Sequence, residues 1–448
     1  MTLIRFLLTA TAAAALLSPL PALHAQDSTR GVTIGLTYDP SVRPGVAVLP
    51  VAGATGDSVR AIVQRDLDFS DRFTMITLDA ASPVDLRPGP SGTLNYPLFA
   101  RLGAAAVIQI TLTPEGAHVA MHDVAKGGVA GVQDFPLPAR ASGPEWRMAV
   151  HGIADEIARW ITGQKGIAQT RVAYVVGNAI RLVDSDGADM ETVPVLANAM
   201  SPGWRSGGSM LVYSTFGTSS RIVTLDLRTG RSHILHSATP HNTNLTPEFT
   251  PDGSAIVYSH ADENGSDLYL VPVSDDAPAR RVSVGRGTDN AQPTFSPDGR
   301  RIAFTSGRSG HPEVYIMDAD GTNAELLTSF DFGDQNYRSD PDWSPDGRLV
   351  AFQSQFPGGR FQIMTISLRD RSTKLLTSEG SNEQPSWAPD GRHLVFTSTR
   401  SGSRELWVLD SESGRMRQLT HAPGARLAAW SPRLGSSAAP AGSGPRSP

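Results

Sequence analysis

Three features of the sequence predict a mainly β protein, a six-bladed β-propeller preceded by a small α/β domain. A Pro-x-aromatic phrase ending in Pro-Asp-Gly recurs through the second half of the chain. Each copy is followed by a strand-like alternation of apolar and polar residues, and the region before about Arg171 has a different, mixed helical and extended periodicity.

The chain opens with Arg5, an apolar stretch from Phe6 to Leu17, the helix breakers Ser18-Pro19 and Pro21, and Leu23-His24-Ala25 ending on a small residue. Residues Met1 to Ala25 therefore read as a secretory signal, with cleavage expected before Gln26. An apolar run of about 12 residues is shorter than the roughly 20 that a membrane-spanning helix needs. No later segment approaches about 18 consecutive apolar residues, so a soluble, exported mature chain is expected.

Residues 26–166 are expected to form the α/β domain. Pro44 to Val51 reads as a short buried strand closed by Pro and Gly, and Val59, Ile62, Val63 and Leu67 then fall at helical spacing. Ala104 to Leu112 is a second apolar strand, turned by Thr113-Pro114-Glu115-Gly116 into a partner from Ala117 to Asp123. Val150, Ile153, Ile157, Trp160 and Ile161 line one face of a helix that begins near Pro144-Glu145 and stops at Gly163. Strand, helix, strand, strand, helix is the expected order.

Residues 167–434 carry the repeat. Four full phrases end in Pro251-Asp252-Gly253, Pro297-Asp298-Gly299, Pro345-Asp346-Gly347 and Pro389-Asp390-Gly391, and degenerate copies surround Trp204 and Trp430. The aromatic anchors sit at 204, 249, 295, 343, 387 and 430, a period of 43 to 48 residues. In the phrase, Pro presets φ for the first turn position, Asp caps its own backbone and Gly accepts a positive φ. The aromatic before the turn is expected to bury against the next repeat. Alternating strands follow, such as Arg301 to Ser306, and a second hairpin turns at Asp318-Ala319-Asp320-Gly321. Four short strands per unit of this length is the pattern of a propeller blade.

The blade count comes from the strand after each turn, whose aromatic recurs at Tyr174, Tyr213, Tyr258, Phe304, Phe352 and Phe396. The first of these has no phrase before it, and the last phrase, at Trp430, has no strand after it. Ala428 to Trp430 should therefore supply the inner strand of the first blade and close the ring. Residues 435–448 are rich in Gly, Ser, Ala and Pro and are expected to form a disordered tail.

Composition narrows the chemistry. With 43 Gly and 33 Pro the chain is turn-rich, and with no Cys it has no disulfide, thiolate–metal centre, thiol nucleophile or cysteine-linked lipid. A net charge of −5, with only short basic pairs such as Arg280-Arg281 and Arg300-Arg301, argues against a nucleic-acid partner. There is no Gly-x-Ser-x-Gly elbow, Walker loop or His-Glu-x-x-His motif. Asp184-Ser185-Asp186-Gly187 and Asp318-Ala319-Asp320-Gly321 read as hairpin turns, because the bidentate Glu of a calcium loop is missing. His233, His236 and His241 are close in sequence, but their spacing does not converge on a metal. No catalytic set, metal site or cofactor is assigned.

The junction from Trp160-Ile161-Thr162-Gly163-Gln164-Lys165-Gly166 into Arg171-Val172-Ala173-Tyr174-Val175 resembles the linker and first propeller strand of the TolB family. Arg43 to Pro50 and Leu102 to Ile108 are similar to first-domain segments of that family, and the likeness runs from Gly31 to Leu434. The resemblance implies a non-enzymatic, monomeric periplasmic adaptor of the Tol-Pal system in the Gram-negative envelope, supporting outer-membrane integrity and constriction during division. It implies two protein partners, the lipoprotein Pal at the mouth of the propeller channel and TolA at the mature N-terminus.

Carried over by position, the Pal-facing rim comprises His241, Asn242, Thr246, Asp289, Asn290, Gln292, Asn382 and Glu383, read as loops just before each phrase. The TolA-facing element is the extended stretch holding Thr29, Val32, Ile34 and Leu36, which could add a strand to a partner sheet or pack on its own domain. The segment His241 to Pro247 is about two residues longer than the family loop. The repeats alone are also compatible with a secreted propeller hydrolase, with a peptidase-related propeller lacking its catalytic domain, or with a general periplasmic scaffold.

Overall fold

The computed structural model describes residues 42–78, 93–274, 278–283, 288–328 and 337–435. The expected signal segment, the stretch from Thr29 to Leu36 and all but the first residue of the expected tail lie outside the described residues. Among the described residues no helix is long and apolar enough to cross a membrane.

The α/β domain is a five-stranded sheet of order β2-β1-β3-β4-β5. Its strands are β1 (Gly45–Val48), β2 (Thr74–Met75), β3 (Ala104–Thr113), β4 (Gly116–Asp123) and β5 (Gly128–Pro136). Strand β1 pairs in parallel with β2 and β3, and the rest is an antiparallel meander. The helices α1 (Gly56–Phe69) and α3 (Pro144–Thr162) share one face of the sheet, and α2 (Tyr96–Arg101) lies on the other.

Alternation along the strands sorts the core. Val46, Val48, Ile108 and Ile110 meet the helical stripes of Val59, Ile62, Val63, Ile153 and Ile157, while Ala47, Leu49 and Val107 meet Phe99. The helix α3 starts on Pro144 and ends where Gly163 turns left-handed at φ 77°.

Three elements depart from the expected order. The strand β2 has only two residues, and α2 is a six-residue helix held by the Asn95 side chain accepting from the Leu98 N–H at 3.2 Å. The edge strand β5 carries two glycines and exposes Val129 and Val132, so neither composition nor alternation marks it.

From Arg171 the chain builds six four-stranded antiparallel sheets. Each begins with an inner strand that ends on the phrase aromatic, except the first, whose inner strand is the last one of the chain. Ala425–Trp430 pairs antiparallel with Arg171–Val176, which continues through Ala179–Asp184 to Glu191–Thr192. At the seam, Ser431 accepts the Arg171 N–H on Oγ at 2.9 Å, and the Trp430 indole donates to Thr170 Oγ1 at 2.8 Å. The six aromatics of the second strands, Tyr174 through Phe396, are at most 1% exposed.

The phrase turns behave as their chemistry requires. Asp298 accepts from the Ser296 hydroxyl at 2.6 Å and the Arg300 N–H at 3.1 Å, while Gly299 takes φ 69°. The same net recurs on Asp252 and Asp346.

The phrase aromatics pack on the preceding blade, not on the next one as expected. Phe295 sits with Val257 and Leu268 of the blade before it, and Trp343 with Ala303 and Val314. Directly paired residues project from the same face, and Phe295 is opposite Ile302, which also faces backward. The turn therefore follows the packing contact and does not carry it.

Trp430, 6% exposed, holds the seam. Trp430→Ala is expected to cost about 3–5 kcal/mol. Hydrogen exchange should quicken in Arg171–Val176 before it does in Arg301–Ser306, as peptide-resolved mass spectrometry can check.

Candidate functional site: the acidic channel and its rim

Every inner strand carries a register shift, and at each shift one residue adopts a left-handed backbone. These are Ser201, Thr246, Gln292, Asp340, Gln384 and Leu427, with φ between 47° and 58°. A non-glycine residue there costs on the order of 1 kcal/mol. Five of the six precede a proline, which has no N–H and suits a bulge.

The bulge turns these residues toward the axis, where they line a channel of about 360 Å³. Their side chains tie adjacent blades together. Gln292 donates to Asp340 at 2.6 Å, and Gln384 accepts the Leu427 N–H at 3.0 Å. One step beyond the prolines, Glu248 accepts the Phe295 N–H of the next blade at 3.1 Å, Asp342 that of Trp387 at 2.6 Å, and Ser386 that of Trp430 at 3.1 Å.

The charged residues that line the channel are Glu248, Asp340 and Asp342, and no lining residue is basic. Burial in the wall pushes the Glu248 carboxyl up to about 8, with a further push from Asp342 and a partial offset from the Phe295 N–H. Burial raises Asp340 to about 7, with Glu383 adding to it, and Asp342 to about 7 against the Trp387 N–H. Near neutral pH the wall therefore exchanges protons with solvent and offers carboxylate oxygens to a cationic group entering the channel.

The rim lies where the inner strands begin, and the structure separates the expected rim residues into three groups. His241 and Asp289 are exposed in the connections leading into inner strands, with Asn242 half-buried beside the first. Thr246 and Gln292 lie deeper, as bulge residues in the channel wall, and half-buried Glu383 faces Arg404 at 3.6 Å. Asn290 and Asn382 are not loop residues: both are fully buried in inner strands.

Each of these two asparagines is a structural clamp. Asn290 accepts from Ser306 at 2.8 Å and Arg308 at 3.1 Å, and Asn382 from Ser398 at 2.7 Å and Arg400 at 3.1 Å. Both arginines then stack over aromatics of their own blade. The repeated Ser-x-Arg at 306–308 and 398–400 was the available sequence signal. Sequence reasoning also passed over Glu248, Asp340 and Asp342, although their places flanking the phrase proline set them in register.

Two side-chain groups elsewhere have metal-like spacing: Asp66, His151 and Asp186, and Asp71, His393 and Asp410. Arginines already hold Asp186 of the first and both carboxylates of the second. Arg147 and Arg65 reach Asp186, Arg392 reaches Asp410 and Arg415 reaches Asp71. That counter-charge disfavours a divalent cation.

A raised carboxyl makes the folded state bind more protons than the unfolded one, so stability falls as pH rises from about 4.5 toward 8. Glu248→Gln keeps an acceptor for the Phe295 N–H and removes the charge. It is expected to raise the melting temperature at pH 8.5 by roughly 2–4 °C and to leave it unchanged at pH 4.5, as paired thermal melts can check.

A family model described as the TolB beta propeller domain matches residues 159–434. The Tol-Pal system protein TolB of Haemophilus ducreyi is 30% identical over 226 residues, covering 47% of this chain and 51% of that protein. The TolB of Haemophilus influenzae is 28% identical over 211 residues, covering 44% and 49%. The chain thus spans about half the length of the curated relatives it matches. The crystal structure of TolB from Acinetobacter baumannii shares the fold with a TM-score of 0.76 at 23% identity, over 88% of this chain and 98% of that one. The chain belongs to the TolB beta-propeller family.

Proposed function

We propose that this chain is a non-enzymatic periplasmic adaptor of the Tol-Pal system. It binds the lipoprotein Pal at the rim of the propeller channel, binds TolA through the segment around Thr29 to Leu36, and supports outer-membrane integrity and constriction at division. The observation that carries this reading is a closed propeller whose channel wall holds three carboxylates and the bulge residues, with the α/β domain packed at the phrase-turn end and the starts of the inner strands at the other.

The relatives named as Tol-Pal proteins support the choice of system. The channel supports the choice of surface, since it combines three carboxylates with hydrogen-bonding bulge residues, and a polar wall of this kind recognises inserted donor groups. His241 and Asp289 are exposed and Glu383 is half-buried at the end of the propeller where the inner strands begin.

The test is calorimetric titration of the mature chain with the soluble domain of Pal from the same envelope. Micromolar or tighter binding is expected, and the triple variant His241→Ala, Asp289→Ala, Glu383→Ala should weaken it at least tenfold, about 1.4 kcal/mol. No binding by the unaltered chain at micromolar concentration would overturn the assignment, and an unchanged affinity in the triple variant would overturn the rim.

A further inference from the structure

The α/β domain meets the propeller through charge. The turn at Asp184 to Gly187 and the first-strand turn at Asp390 face the ends of α1 and α3, together with Asp410, Arg415 and Arg417. Two histidines with 0% exposed side chains lie in this contact, and they are arranged reciprocally.

His151 belongs to α3. Its Nδ1 bonds Asp66 of its own domain at 2.7 Å, and its Nε2 faces Asp184 and Asp186 of the propeller at 3.5 and 3.9 Å. His393 belongs to the propeller. Its Nδ1 bonds Asp390 of its own domain at 2.7 Å, and its Nε2 reaches Asp71 of the α/β domain at 3.3 Å. Each ring thus holds a carboxylate at home with one nitrogen and addresses a carboxylate across the boundary with the other.

We propose that His151 and His393 are paired charged fasteners of the two domains, and that losing the second ring proton releases the α/β domain from the propeller with both still folded. A neutral ring carries one N–H. Kept on Nδ1 for the nearer home carboxylate, that proton leaves Nε2 to present a lone pair to the carboxylates across the boundary, and attraction becomes repulsion at both sites.

The surroundings favour the charged form. Burial pulls both rings down, but Asp66, Asp184 and Asp186 together push His151 up to about 10. Asp390, Asp71 and Asp410 push His393 up to about 9. The cations facing the same carboxylates are Arg65 from α1, Arg147 from α3, Arg171 from the first blade and, from the last blade, Arg417 at the first site. At the second they are Arg72, Arg392 and Arg415, with Glu412 on Arg392. Histidines with raised values give their full contribution below the ordinary imidazole range and lose it as pH climbs through about 9 to 10. The joint is therefore closed at neutral pH and opens on the alkaline side.

The absence of cysteine allows a direct test. Spin labels at Glu115→Cys, on the β3–β4 turn, and Glu263→Cys, on an exposed propeller turn, report the interdomain distance. One narrow distribution is expected at pH 7, broadening at pH 10.5 while far-ultraviolet dichroism is retained, and broadening at pH 7 in His151→Gln/His393→Gln. Nitrogen-15 spectra of the unaltered chain at pH 8 should show both nitrogens of both rings protonated, a readout that does not need the variants to fold. A neutral ring at pH 8, loss of ring protons to micromolar zinc, or a distribution that stays narrow after both rings are neutralised would overturn the proposal. None of these readouts depends on binding Pal.

Discussion

The pairing of Ala425–Trp430 with Arg171–Val176 is the contact on which the rest of the structure depends. It joins residues about 250 positions apart, as the bond between Arg171 and Ser431 illustrates with a separation of 260. Without it, the first sheet would lose its inner strand and end in an open edge, and the inner strands would not face a common axis. With it, Gln292 meets Asp340 and Gln384 meets Leu427 in the next blade, and the hydrogen bonds accepted by Glu248, Asp342 and Ser386 run in a consistent direction around the ring. The loop-closure entropy of so long a segment is repaid only when the aromatic wedges on both sides of the seam are in place.

The strained bulges and the acidic wall follow from that geometry. A residue held at φ near 50° in an inner strand lets its side chain bridge blades, at a local conformational cost repeated six times. Carboxylates placed between such residues have little water, so their protons stay near neutral pH. Strain and unneutralised acidity in one channel make it the natural docking surface of the molecule in its proposed role.

Much of the fold was legible because the repeat writes its own rules: proline, aspartate and glycine at fixed places gave blade number, turn position and the crossing of the seam. Local signals of that kind were missing for α2, whose six residues depend on one asparagine cap, and for β5, whose glycines and exposed valines disguise a strand. At the candidate site, sequence position gave places in the repeat but not burial. Asn290 and Asn382 adjoin Asp289 and Glu383 in the sequence, yet their partners, Ser306 with Arg308 and Ser398 with Arg400, lie 16 and 18 residues away at and just past the end of the next strand. The interdomain fasteners were illegible, since His151 and Asp66 are 85 residues apart and His393 and Asp71 are 322 apart. Only the folded chain brings them together.

In the proposed role, the ring presents the end where its inner strands begin to a protein partner. Hydrogen–deuterium exchange of the mature chain with and without Pal tests it most directly, because it maps contact without altering a residue. Protection is expected to concentrate in the connections leading into the inner strands, around His241, Asp289 and Glu383, and in the bulges behind them. Protection confined to the α/β domain or to the outer strands of the blades would contradict it.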